Sequence, residues 1–449
     1  MKDSMIRIVP TVLCAITASA MTTNANEIPQ RWVLTQITHP DFALSITAMN
    51  EAGEISGTAE QYVDGFIHKQ PYIWQDGVLH LIEAPSHYIK TYELNNAGTG
   101  MAIDHTADHV YHYTTKGMID LGHLGDLFGA NIYMHGMNSS GQFAGHRPLG
   151  SDIYNAFTWN QKQGIVYIAP DKATSYAFDV NEYGAVVGAT YTDDSLSGTA
   201  YLYANGTRTD FGSRWDGQTI AHDIDDAERI LVSEYRSGIT TFHMVDANDF
   251  SSSKMTTFSN ADSDIDASMN ESGMAFFTWK TPTPNDGHID GKLALWTEED
   301  GLVSLEVPAN SIHISKIDIT DSGWLLLHSH DHHYESRKFI TSPDNEMIIL
   351  NDRIIGYEFM EKIGPLHMNE TGQIATLVKI SESIGWIGGV FSPARPGDVD
   401  GDGTVGVNDL LAVSSAWGDW PVGSTCGPDL DMDGSVNIND LLAVISDWH

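Results

Sequence analysis

Met137-Asn138-Ser139-Ser140-Gly141 leads directly into Gln142-Phe143-Ala144-Gly145, an apolar run after a tight turn. Asparagine tolerates turn conformations and glycine supplies positive φ, so the segment reads as a hairpin between two strands. Outward from it, the apolar–Asn–x–x–Gly unit returns as Met49-Asn50-Glu-Ala-Gly53, Leu94-Asn95-Asn-Ala-Gly98, Val180-Asn181-Glu-Tyr-Gly184, Met269-Asn270-Glu-Ser-Gly273 and Met368-Asn369-Glu-Thr-Gly372. Degraded copies stand at Ile224-Asp225-Asp-Ala-Glu228 and Ile319-Thr320-Asp-Ser-Gly323. The eight turns are 43 to 50 residues apart.

Upstream of most turns lies an aromatic strand: Tyr72-Ile-Trp74, Ala156-Phe-Thr-Trp159, Ala200-Tyr-Leu-Tyr203, Leu293-Ala-Leu-Trp296. A further strand accompanies it, as in Met118-Ile-Asp-Leu121 or Ile165-Val-Tyr-Ile168. Four strands in roughly 45 residues is the size of a propeller blade. The expectation for residues 27–394 is therefore a mainly β chain, a β-propeller of about eight four-stranded blades, with seven blades, an open β-solenoid or two sandwiches as alternatives. The first unit starts at Trp32-Val-Leu-Thr without its aromatic strand, and Trp386-Ile-Gly-Gly-Val-Phe391 is spare at the far end. One closing blade of three N-terminal strands and one C-terminal strand is expected, leaving no open edge. Asp120-Leu-Gly-His-Leu-Gly125 and Asn138-Ser-Ser-Gly-Gln-Phe-Ala-Gly145 resemble the HAF family of extracellular repeats. That resemblance implies secretion and repetition, and no chemistry.

Residues 395–449 are different. Asp398-Val-Asp-Gly-Asp-Gly-Thr-Val-Gly-Val-Asn-Asp409 and Asp429-Leu-Asp-Met-Asp-Gly-Ser-Val-Asn-Ile-Asn-Asp440 are two copies of a 12-residue loop. Calcium takes six to eight oxygens, and alternate residues of such a loop point inward. The first site would use Asp398, Asp400, Asp402, the carbonyl of Thr404, and Asp409. The second would use Asp429, Asp431, Asp433, the carbonyl of Ser435, and Asp440. Two Ca2+ ions are thus expected, the first held less tightly because Gly406 stands where Asn437 can ligate through water. Leu-Leu-Ala-Val and a Trp follow each loop, with Leu410, Val413 and Trp417 spaced for one apolar helical face, and Trp448 repeating Trp417. The two faces should pack together, with folding coupled to metal. These loop–helix pairs, each lacking the leading helix of an EF-hand, resemble a type I dockerin. The resemblance implies an α-helical calcium-binding domain that docks to a cohesin-like module. Loop positions 10 and 11, which help choose the partner in that family, are Val407-Asn408 and Ile438-Asn439 here, so partner identity stays open.

The N-terminus reads as an export signal: Lys2 and Arg7, an apolar run from Ile8 to Ile16, then Ala18-Ser19-Ala20, which ends a signal peptide at residue 20 (or at 25 after Thr23-Asn24-Ala25). No later run is long enough to span a bilayer. Localisation outside the cell or on its surface follows. Sixty acids against 23 bases, a net charge of −37, argue against nucleic acid and anionic membrane as partners. After cleavage Cys426 remains without an intramolecular partner.

No HExxH, GxSxG, P-loop or paired Cys ligands occur. His328 and His330, in the cluster that runs to His333, alternate so that both could face one way and bind a transition metal, although a polar loop is the simpler reading. Trp215 and Trp324 fall outside the aromatic-strand position and are candidates for an exposed role. The reading is a secreted binding or display protein, its propeller meeting a glycan or surface protein. A polysaccharide-degrading enzyme with a dockerin-like tether, and a structural protein whose repeats are a calcium-stapled end cap, are the rivals.

Overall fold

The computed structural model describes residues 31–448 except 108, 124–131, 151–152, 173, 193–197, 260–262, 283–288, 309–310, 331–335, 343–345, 355–361, 382–384, 402–403, 420–426 and 432. The expected signal peptide, Asp402, Cys426, His332 and His333 lie outside the described residues. Eight four-stranded antiparallel sheets form an eight-bladed β-propeller. Blade 1 is Ala43–Met49, Ile55–Val63, Phe66–Gln75 and Val78–Leu81; blade 2 is Ile89–Leu94, Gly100–Asp104, His109–Thr114 and Gly117–His123. Blades 3 to 7 repeat this order and begin with Tyr133–Met137, Thr174–Val180, Gln218–Ile224, Ser263–Met269 and His313–Ile319. Each Asn turn joins the first strand of its blade to the second, and the aromatic segments are third strands.

Blade 8 corrects the expected closure. It takes Lys362–Met368, Ile374–Ser381 and Gly385–Pro393 from the C-terminal side, and one strand, Trp32–Ile37, from the N-terminal side. The pairing runs Trp32↔Pro393, Leu34↔Phe391, Ile37↔Gly388. The reason is the place of the turn: Met368-Asn369 ends a first strand, so Trp386–Phe391 is a third strand and only the fourth is missing. Trp32 is fully buried there, and its Nε1 donates to the Gly372 carbonyl at 2.8 Å.

The cores lie between blades. Met101, Ile103 and Val110 of blade 2 pack with Phe143, Phe157 and Trp159 of blade 3. Each fully buried side chain of this size stabilises by roughly 1.5–3 kcal/mol. Tyr201 Oη donates to the Tyr176 carbonyl of the first strand at 2.9 Å, passing over Gly188 of the second. A Cβ on Gly188 would fall 1.9 Å from that same carbonyl, so the position admits only glycine. Tyr72, Ser45 and Gly57 repeat the device in blade 1.

Trp324 and Trp215 correct the expectation of exposure. Trp324 is 7% exposed in the core of blades 7 and 8, because the turn at Gly323 directs the next residue inward. Trp215 is half-buried against Phe211 and His243.

Candidate metal centre and the turn face

After Pro393 the chain builds two nine-residue helices, α1 (Val407–Ser415) and α2 (Ile438–Ser446), each following one of the acidic loops. They share a small core of Val399, Val405, Val413, Val436 and Val444, flanked by Leu410 and Leu441. Trp417 and Trp448 do not join it: Trp417 is 55% exposed. Helix α1 ends at Ser415, so Trp417 is not carried round to the i+7 position, and Gly418 at φ +127° turns the chain away. Gly418 and Asp419 then pair with Val436 and Ser435.

Position 12 is used identically in both loops. Asp409 Oδ1 accepts from Val399 N at 2.7 Å and its Oδ2 from Gly406 N at 2.7 Å. Asp440 Oδ1 accepts from Leu430 N at 2.6 Å and its Oδ2 from Asn437 N at 2.7 Å. Each carboxylate thereby ties the loop start to the helix N-terminus, where negative charge is favoured. Oxygens of Asp398, Asp400 and Asp409 approach within 4.8 Å of one another, as do those of Asp429, Asp431 and Asp433. Among the described residues these are the groups able to hold a metal. Asp429 is 8% exposed, and its Oδ1 has no hydrogen-bond partner among the described residues. Burial, and then the charges of Asp440, Asp431 and Asp433, push its carboxyl above the usual range. An orphaned buried oxygen among like charges fits a cation, and an all-oxygen donor set fits a hard one. Asn437 turns its amide toward Ser435 O at 3.1 Å and Asp433 Oδ2 at 3.3 Å, inside the second loop. Val407 and Ile438 stand exposed at the starts of the helices, with Leu411 and Leu442 exposed one turn on. Asn439 N donates to Asn437 Oδ1 at 2.9 Å, and Asn408 lies in the first turn of α1.

Arg31, next to the closing strand, reaches the repeats through Nη2, which donates to Val399 O at 3.5 Å, and within the repeats Arg395 Nη2 donates to Asp447 O at 2.6 Å and Gly397 N to Asp447 Oδ2 at 3.1 Å.

The propeller's turn face carries two interrupted rings of hydrogen bonds that sequence reading missed. In the first, five of the six turn Asn residues serve two turns, and Asn369 Nδ2 turns back to Gln373 Oε1 of its own turn at 3.0 Å. Asn95 Oδ1 accepts from Thr99 N of its own turn at 2.9 Å, and its Nδ2 donates to Asn138 O of the next blade at 2.8 Å. Asn50, Asn138, Asn181 and Asn270 reach Asn95 O, Asn181 O, Asp225 O and Thr320 O in the same way. The degraded turns keep the inner bond and lose the outer one: the Asp225 carboxylate has no hydrogen to donate and binds Arg229 Nε at 2.6 Å, and the short Thr320 hydroxyl pairs with Ser322 Oγ in its own turn at 2.9 Å. In the second circle the residue after each Asn, mostly acidic, accepts from the matching N–H one blade back. Glu182 N donates to Asp226, Asp226 N to Glu271, Glu271 N to Asp321, Asp321 N to Glu370, and Glu370 N to Glu51. The last link joins the two ends of the ring.

A third set of acids stands two residues before the turn. Asp179, Asp223 and Asp318 accept from Ile224 N, Met269 N and Met368 N at 3.0, 2.7 and 3.0 Å. Burial, and then the neighbouring Asp223 charge, raises the Asp179 carboxyl pKa well above its ordinary value. Burial pushes Glu93 up to about 7 and, helped by nearby acids, Glu271 to about 7. Asp179, Asp223, Asp318 and Glu271 thereby each bond a backbone N–H of the adjoining blade. The signal for them was their fixed offset from each turn.

His328 and His330 do converge, with ring centroids 4.2 Å apart, but they are not part of a three-ligand group among the described residues. Among the described residues no helix is long and apolar enough to cross a membrane.

The sequence matches no family model and no curated relative. Among solved structures it is similar to the Dos1 propeller, at 10% identity and TM-score 0.49 over 81% of this chain and 94% of that one. It is also similar to a dipeptidyl peptidase 4 of Porphyromonas gingivalis, at 10% identity and TM-score 0.47 over 77% of this chain and 59% of that one. A prolyl oligopeptidase B of Galerina marginata is similar at 8% identity and TM-score 0.47 over 75% of this chain and 54% of that one. The chain spans just over half the length of these two peptidases.

Proposed function

We propose that this chain is a secreted binding or display protein, an eight-bladed propeller attached to a cohesin-type partner through calcium-organised, dockerin-like C-terminal repeats. The observation that carries the reading is the buried, unpartnered Asp429 Oδ1 within a duplicated acidic loop. Asp398, Asp400 and Asp409, and Asp429, Asp431 and Asp433, would hold the ions, with the Thr404 and Ser435 carbonyls completing each loop. Bound calcium supplies charge neutralisation that fixes loop and helix together. The duplicated exposed pairs Val407–Leu411 and Ile438–Leu442 support docking through helix faces, since each helix presents apolar surface that its own core leaves uncovered.

The test is capture of partners from the secreted and surface fractions of the source cells by the full chain. It is run with calcium, with chelator, and with Asp398→Ala/Asp429→Ala. A cohesin-like partner held only by the intact chain in calcium is expected. Calcium binding without any calcium-dependent partner would reduce the repeats to an end cap, a role the Arg31 contact with Val399 also favours.

A further inference from the structure

Tyr133, His146 and His135 form a stack of three nearly parallel rings at the seam of blades 3 and 4. Successive centroids are 5.0 Å apart, and the planes differ by 20° and 19°. The stack starts at the face opposite the Asn turns. Tyr133 opens the inner strand of blade 3 there and pairs with His146 of the second strand, Phe143–Gly150. Tyr133 is exposed and His146 is buried. Blade 4 covers the stack with Tyr176, 4.8 Å from the His146 ring, and Phe178, 6.0 Å from the His135 ring. Tyr154, on the third strand of blade 3 (Ile153–Asn160), closes the side at 5.5 Å from His146.

Two nitrogens in this stack have nothing to bond. His146 donates to the Ala177 backbone across the seam, and its Nδ1 has no hydrogen-bond partner among the described residues. His135 Nε2 is likewise buried without one. A proton on either nitrogen would create an N–H with no acceptor, and a charge beside a second imidazole. The nearby charged groups do not compensate it. Arg147 points to the blade 2 side, 4.5 Å over the Tyr167 ring. Asp179, close to Gly136, accepts from Ile224 N of blade 5, and burial, followed by the Asp223 charge, raises its carboxyl pKa, so it is uncharged in acid.

We propose that His135 and His146 form an acid-sensitive latch, whose protonation opens the seam of blades 3 and 4 at the face opposite the Asn turns. The turn face acts as the hinge: Asn138 Nδ2 donates to Asn181 O at 3.0 Å, and Ser139 N and Oγ donate to Glu182. The apolar core of this seam is thin. It includes Ala144, Ala156 and Ala177, where the seam of blades 2 and 3 has Phe143, Phe157 and Trp159. Burial, and then the His135 charge, lowers the His146 pKa to about 4, and burial lowers that of His135. A base whose folded pKa is lowered favours the closed seam fully above the ordinary histidine value of about 6.5. That contribution is lost as pH falls from there through about 4, the opposite sign to the raised carboxyls near the turns.

The experiment is amide hydrogen exchange, read by mass spectrometry on the full-length protein from about pH 7 to about pH 4.5, with intrinsic exchange rates corrected for pH. Protection of the inner strands Tyr133–Met137 and Thr174–Val180 should fall about tenfold or more across that range, relative to Ile289–Thr297 of blade 6. His135→Phe/His146→Phe keeps rings in the stack and removes both titrating groups, so its seam should follow blade 6 at every pH. Thermal melts at neutral pH establish that the variant folds. The single His135→Phe keeps the bond to Ala177 and is expected to remove part of the fall, which decides the matter if the double variant does not fold. A wild-type seam that keeps its protection in acid, a fall shared equally by blade 6, or an undiminished fall in the folded variants would overturn the proposal.

Discussion

The propeller and the C-terminal repeats are both built from copies of a short acidic turn, and they treat its polar groups in opposite ways. In the propeller, the carboxylates after each Asn are answered by backbone N–H groups of the adjoining blade, around to the Glu370–Glu51 link. The links span most of the ring, so the protein supplies most of its own counter-groups. The repeats have two copies, and a pair cannot close a circle. Asp409 and Asp440 are satisfied by loop N–H groups, but Asp429 keeps a buried oxygen with no partner among the described residues. The core there rests on five valines, against interblade clusters rich in Phe, Trp and Leu. The same composition thus gives a largely self-sufficient body in one region and leaves a buried carboxylate oxygen unanswered among the described residues in the other.

That contrast breaks most visibly under chelation. Removing calcium should leave the propeller's thermal midpoint unchanged and expose the 395–449 segment to protease; Asp429→Ala should mimic the chelator, read by limited proteolysis with and without added calcium. Protection that ignores both would mean the repeats hold together as the propeller does. Next in size, Trp32→Ala removes the wedge of the closing strand. It should cost about 4 kcal/mol in urea unfolding, with the repeats' calcium response intact. Asn95→Ala removes the bond to Asn138 O and the acceptor for Ala97 N and Thr99 N, and should cost about 2–3 kcal/mol. Asp225→Asn tests the reverse: an amide restores a donor toward blade 6 but gives up the Arg229 ion pair, so the net change should stay within about 1 kcal/mol.

The buried acids near the turns also set a pH dependence of the propeller. Glu93 and Glu271 at about 7, and the raised Asp179, bind protons more tightly folded than unfolded. Their stabilising effect is full below the ordinary carboxylate range and is lost as pH rises from about 4 through about 7. The propeller's thermal midpoint should therefore fall across that window. Glu93→Gln and Asp179→Asn should flatten the fall, and a slope identical to wild type would show that these acids stay charged at little cost. The smallest effect is expected at Glu228, which takes φ +62° where the other seven turns place glycine. Glu228→Gly should stabilise by no more than about 1 kcal/mol.

Legibility varied with the range of the interaction. The eight turns, their hairpins and the four-strand unit were readable because Asn and Gly meet local backbone needs. The two loop–helix units were readable because alternate acids in 12 residues have a local logic. The closing blade was misread because Trp32–Ile37 looks like any first strand until its pairing with Gly385–Pro393 is known. Trp417 was misplaced because helical spacing was extended two residues past the helix end. The acids at 51, 182, 226, 271, 321 and 370 drew no assignment from the sequence, since no residue near them in sequence answers them.

By itself the sequence determined how many units there are, where each one turns, and which oxygens the C-terminal loops can offer, because all of these are settled within a dozen residues of chain. The tertiary structure alone decided which strand closes the ring, that the turn Asn and its acidic neighbour bridge blades, and that Trp324 is buried between blades 7 and 8. Those groups lie a blade or more apart in sequence from what they touch, and only the circular packing of the sheets brings them into contact.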